Sequence, residues 1–121
     1  MRTYDALRWM APAALLAVVG CSSYPAPTRA LQASRDRVRE AQQAGASGQS
    51  ESATYLRLAQ EQIDMANALM DNGQNKRAEY YLLRARADAD LARALAVETT
   101  AKAEAQQAMD QVRAMQQKVG P

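Results

Sequence analysis

Few side chains in this sequence could take part in covalent or metal chemistry. Among 121 residues there is one cysteine, Cys21, and no histidine. A thiolate is a nucleophile and a metal ligand. Alone, however, it lacks both the base of an acyl-transfer relay and the further ligands of a metal site, and no second cysteine exists for an intrachain disulfide. Carboxylates remain, and the nearest pairs are Glu61/Asp64 and Asp88/Asp90. On a helix Asp88 and Asp90 point ~200° apart and cannot converge on one substrate. Arg84 and Arg86, four residues earlier, account for both as solvated ion pairs. No catalytic residue, cofactor site or metal site is expected.

The surroundings of Cys21 give its thiol another task. Arg2 and Arg8, against the single acid Asp5, precede an apolar run from Met10 to Val19. That order is the layout of a secretory signal peptide, and the run is about half the ~20 residues a spanning helix needs. The segment Leu16-Ala17-Val18-Val19-Gly20-Cys21 resembles the lipobox of bacterial lipoproteins, with Val18 where leucine is commonest. The resemblance implies cleavage between Gly20 and Cys21, diacylglycerol on the thiol and an acylated amine. Residues 1–20 are then signal peptide, and residues 21–27 a lipidated tether. Acyl chains contribute ~0.8 kcal/mol per buried CH2, so two or more anchor a chain stably. By the same resemblance, Ser22 rather than aspartate after the cysteine implies the outer membrane, with the domain on its periplasmic face.

About 100 residues follow the signal, enough for one small domain. Without residues 1–20 the chain carries 13 basic and 12 acidic side chains. That balance gives no electrostatic footprint for nucleic acid. Phenylalanine is absent and the only tryptophan is Trp9, while alanine, leucine, glutamine, glutamate and arginine dominate, a long-helix composition. Pro25 and Pro27 keep Ser22–Pro27 extended and unpacked. Thr28 can cap a first helix, over about 28–44, with the stripe Leu31, Ser34, Val38, Ala41. Gly45–Gly48 stops it. Ser50 or Ser52 can cap a second, over about 51–72, with Leu56, Ala59, Ile63, Ala66 and Met70, widened by Leu58, Met65 and Leu69. Asn72-Gly73 ends it through a left-handed C-cap.

A third helix is expected over about 75–118, roughly 60 Å long. Its first stripe is Ala78, Leu82, Ala85, Ala89, Ala92, Ala96, and a second, displaced one follows as Ala101, Ala105, Ala108, Val112, Met115, Val119. The tight Asn72-Gly73 turn makes the second and third helices antiparallel neighbours, with Ile63 against Leu82 and Ala85 and Leu56 near Ala92. Arg84/Asp88, Arg86/Asp90 and Glu98/Lys102 are expected as surface pairs worth ~0.2–0.5 kcal/mol each. Tyr80 and Tyr81 point ~100° apart. Packing is expected for both, with Tyr80 the alternative contact for a partner, and Met65, Met70, Met109 and Met115 read as seam filling. The fold class is all-α: a tether, then an alanine-rich three-helix antiparallel bundle over 28–119 with a protruding C-terminal helix. The six-residue Gly45–Ser50 segment favours reversal of the first helix onto the hairpin over an in-line extension.

Within Leu31–Ala108 stand Ala41-Gln42-Gln43-Ala44-Gly45-Ala46, then Leu58-Ala59 with Met65-Ala66, and above all Gly73-Gln74-Asn75-Lys76-Arg77-Ala78 running into Ala85-Arg86-Ala87-Asp88-Ala89-Asp90-Leu91-Ala92. In these runs the stretch resembles a family of bacterial envelope lipoproteins known as domain of unknown function 4398. Ala53-Thr54-Tyr55 departs from the family's aromatic and Ala-Pro at the start of helix two, so that helix is expected to begin differently. Some relatives carry a peptidoglycan-binding domain, which this chain does not show before Pro121, and direct wall binding is not carried over. No catalytic residue comes with the family.

Two roles follow. The first is a lipid-anchored cell-envelope module presenting a helical surface, with Tyr80, Ala105, Val112 and Met115 as candidate contacts, to another envelope protein or a second copy. The alternative is a murein-lipoprotein-like coiled-coil spacer between outer membrane and peptidoglycan. That spacer wants unbroken heptads and a terminal lysine. Here the heptads break at Gly45–Gly48 and Asn72–Gly73, and Lys118 is followed by Val119-Gly120-Pro121. The module is the favoured expectation.

Overall fold

The computed structural model describes residues 23–120. Three helices follow in order: α1 (Thr28–Gln43), α2 (Ser50–Asp71) and α3 (Asn75–Val119), with one turn of 3-10 helix over Ala46–Gly48 between the first two. Each lies within a residue or two of its expected bounds, because glycine sets the breaks. Gly73 takes φ +71°. Its N–H donates to the Met70 carbonyl at 3.0 Å, and the Gln74 N–H donates to that of Leu69 at 2.8 Å. This is the paired closure of a left-handed helix end, which consumes two otherwise orphaned carbonyls. Gly45, at φ +87°, performs the same reversal after α1.

Polar contacts fix the directions of the helices. The Gln62 amide donates to Asp88 at 2.6 Å, across the Asn72-Gly73 turn, so α2 and α3 run antiparallel. Asn75 donates to the Tyr24 carbonyl, Ser34 to that of Leu82, and Arg37 pairs with Asp90 at 3.6 Å. The partner numbers rise together, so α1 runs parallel to α3 and antiparallel to α2. All three helices pack on one another, in an up-down-up bundle. The first helix therefore folds back onto the hairpin, and the in-line extension is excluded.

The core is built by size complementarity. From α3 come Ala78, Ala85, Ala89, Ala92 and Ala96 with the fully buried Leu82, while Leu56, Ile63 and Leu69 of α2 and Val38 of α1 supply the bulk. Alanine lets the backbones approach, and each large side chain fills the space opposite at ~1.5–3 kcal/mol. Two core hydroxyls face backbone. Ser34 Oγ lies 2.8 Å from the Ala30 carbonyl and 3.1 Å from that of Leu82, and Ser52 Oγ donates to that of Ala46 at 2.8 Å.

Several expectations are corrected. Thr28 does not cap α1: Pro27 takes that position without a side-chain bond, and Thr28 is already helical, its exposed end open to water. Neither Ser50 nor Ser52 caps α2. Extended Gln49 precedes it, and Ser52 instead turns its hydroxyl back to tie down the 3-10 turn. Residues 23–27 are not unpacked, since the Tyr24 hydroxyl donates to Glu79 and its carbonyl is held by Asn75. Met65 is half exposed and Met109 and Met115 are exposed, so only Met70 borders the core. Tyr80 is 58% exposed while Tyr81 packs against the core. Asp88 and Asp90 turn to Gln62 and Arg37 rather than to Arg84 and Arg86, because α2 and α1 bring those partners alongside. The Glu98/Lys102 pair forms as expected.

Candidate partner surface

The lengths of the helices create the surface. With 22 residues in α2 and 45 in α3, a hairpin paired outward from Gly73 runs out of α2 near residue 97. Every residue from Val97 to Gly120 is exposed. At 1.5 Å per residue, ~35 Å of bare helix projects beyond the bundle.

Sequence patterning on this segment is not that of a solvated helix. Ala101, Ala105, Ala108, Val112, Met115 and Val119 recur at four and three residues along one face. At 100° per residue, that face is turned about 140° from the buried line Ala78–Ala96. Val112 is 48% exposed and Met115 58% exposed, and Met109 and Val112 border a shallow depression of about 340 Å³ with Ala108 and Arg113. The structure thus brings Ala105, Val112 and Met115 onto one face. Tyr80 does not join them, standing seven turns earlier with its ring edge-on to Tyr81 at 5.8 Å and under the Arg84 guanidinium at 5.9 Å. Exposed Leu83 and Val97 lie on the same outer line as the distal stripe. Sequence reading passed over them, although the spacing Leu83, Ala87, Asp90, Ala94, Val97, Ala101 is an unbroken four-three repeat.

Charges flank the bare segment in local pairs. The Lys102 ammonium hydrogen-bonds the Glu98 carboxyl and holds it below its usual range, and Glu98 holds Lys102 above its own. Arg113 pairs with Asp110 at 3.5 Å. At the other end of the bundle, donation to Glu79 raises the Tyr24 phenol above its usual range, since the hydrogen bond needs the neutral hydroxyl. Residues 24–30 with Ala33, Glu79 and Arg86 line a shallow groove of about 570 Å³ there. Among the described residues no group of three acidic or cysteine side chains is placed to hold a metal ion. No helix among them is long and apolar enough to cross a membrane. Gly20 and Cys21, the expected cleavage and lipidation residues, lie outside the described residues.

A family described as a domain of unknown function (DUF4398) matches residues 29–108, from the start of α1 through the first turns of the bare segment. The chain belongs to that family. No curated protein and no solved structure matches it. The DUF4398 match takes in both glycine-closed turns and all three core faces. It stops at Ala108, short of Val112, Met115 and Val119.

Proposed function

We propose that this protein is a non-enzymatic, lipid-anchored module of the bacterial cell envelope that presents the bare half of α3 for protein interaction, on the periplasmic face of the outer membrane. The observation that carries the reading is the polarity of the molecule. Tyr24, bound to Asn75 and Glu79, fixes where the N-terminal segment leaves the bundle, beside the start of α3. The unpaired apolar stripe lies at the opposite end of the same 45-residue helix. A chain attached three residues before Tyr24 carries its attachment at one pole and its contact surface at the other. The lipobox-like Val18-Val19-Gly20-Cys21 supports attachment by acyl chains, which supply an anchor that no described helix does.

The test is intact-mass measurement on protein extracted from membranes. Loss of residues 1–20 and an added mass of acyl chains on Cys21 are expected, and Cys21→Ala should remain as uncleaved or mislocalised precursor. A mature protein that starts at an unmodified Met1 overturns the anchor.

A further inference from the structure

We infer that the bare half of α3 pairs with the same segment of a second copy of this chain, antiparallel, about a two-fold axis level with Asp110. This deepens the interaction reading above by naming the partner, and it stands independently of the anchor.

The stripe itself selects the occupant. Ala101, Ala108 and Met115 alternate with Ala105, Val112 and Val119 as the two inward positions of a coiled-coil repeat. Its N-terminal half is small and its C-terminal half is large. Set two stripes antiparallel with Ala108 opposite Val112, and the other layers follow: Ala105 meets Met115 and Ala101 meets Val119. All six layers then join an alanine to a larger side chain. This is the packing the protein already uses within itself, where Leu56, Ile63 and Leu69 fill space beside the alanines of α3. A parallel pair sets each residue against its own copy, gathering three alanine layers at one end with gaps between them and the large layers Val112, Met115 and Val119 at the other, so the seam is unevenly filled.

Charge makes the same choice. Glu104 and Lys118 form no ion pair among the described residues, whereas Glu98, Lys102, Asp110 and Arg113 are all paired within the helix. In the antiparallel register Glu104 of each copy flanks the seam beside Lys118 of the other, twice by symmetry, with Gln111 beside Gln111 between them. A parallel pair puts Glu104 next to Met109 and finds Lys118 no acid. Residues 101–119 overlap along ~27 Å of helix, a short seam, so the dimer is expected to be weak. The two tether exits then lie roughly 105 Å apart, at the ends of a rod. With both copies anchored in one bilayer, that rod lies along the membrane.

The test uses the chain from residue 21 onward with Cys21→Ser, which contains the whole core. Sedimentation equilibrium up to ~500 µM, high enough to populate a weak dimer, should show a monomer–dimer equilibrium. Under oxidation Gln111→Cys, close to its own copy at the axis, should form a disulfide-linked dimer. Ala105→Cys, ~15 Å from its copy along the seam, should not. Lys118→Glu should weaken the dimer about fivefold to tenfold, and Glu104→Lys should do the same. The double exchange should restore it. A chain that stays monomeric at every concentration overturns self-pairing and leaves the stripe to a different envelope protein. Efficient crosslinking of Ala105→Cys without that of Gln111→Cys overturns the antiparallel register. Neither outcome bears on lipidation, which is read separately by mass.

Discussion

Replacing Leu82 with alanine is the sharpest perturbation of this bundle, because Leu82 is the largest side chain buried completely. It stands on the face of α3 that meets both other helices, and its own carbonyl receives the Ser34 hydroxyl of α1. The substitution removes three carbons. At ~0.8 kcal/mol each, the lost transfer free energy is about 2.4 kcal/mol, and a residual cavity raises the total to about 3–4 kcal/mol. Leu82 is enclosed completely, so the gap opens onto packed core and not onto solvent. For a domain of ~100 residues, 3 kcal/mol lowers the melting temperature by roughly 12–24 °C. Leu83→Ala provides the internal control, since Leu83 is the adjacent residue, of identical chemistry, and 56% exposed. It should cost less than about 0.5 kcal/mol. Both are measured by urea denaturation followed by circular dichroism at 222 nm, with the midpoints compared at equal slope. Costs within about 1 kcal/mol of one another would mean that the face carrying Ala78, Leu82 and Ala85 is not the seam.

Three further outcomes are expected. In dilute solution, amide exchange should be slow from Ala78 to Ala96 and much faster from Ala101 to Val119, where no neighbouring helix covers the hydrogen bonds; uniform protection along α3 would contradict the exposed half. Gly73→Val should destabilise by about 1–2 kcal/mol in the same urea assay and Gly73→Asn by less, because a Cβ there meets nothing within 4 Å and only the backbone at φ +71° is strained. Glu79→Gln should bring the Tyr24 phenol back toward its ordinary value, read as phenolate absorbance against pH. The folded phenol titrates above its unfolded value, so the docking of residues 23–27 is fully present below that unfolded value and is lost as pH rises through the folded one.

Most of the fold was legible because its breaks are backbone requirements. Gly45 and Gly73 sit where the chain must turn left-handed, and spacing by three and four identified the buried faces of all three helices. What sequence missed was decided by neighbours distant in the chain. Arg84 and Arg86 satisfy the four-residue rule for pairing with Asp88 and Asp90. That local gain of a few tenths of a kcal/mol yields to Gln62 and Arg37, which the bundle holds alongside. The serine at position 52 has a cap-forming type, but buried beside the Ala46 carbonyl it serves better as a donor. Tyr80 and the methionines show the limit of periodicity. A large apolar side chain at helical spacing signals a face, and only the length of the facing helix decides whether the face is covered.

The same arithmetic explains why the candidate surface is where it is. A helix meant only to close the bundle could stop near Ala96, the last buried position of α3. This one continues for more than twenty residues, and its apolar line does not continue the buried one but is displaced around the axis by about 140°. Simple overrun would carry the Ala78–Ala96 line onward through Thr99, Ala103, Gln106 and Asp110, three of them polar, as suits an uncovered face. Instead the outer line that already carries Leu83 and Val97 becomes, from Ala101 onward, an unbroken apolar stripe graded from alanine to valine and methionine. Solvation alone gives no reason for that grading. A partner whose bulk runs in the opposite sense does, and the chain's own bare segment, turned end for end, is such a partner.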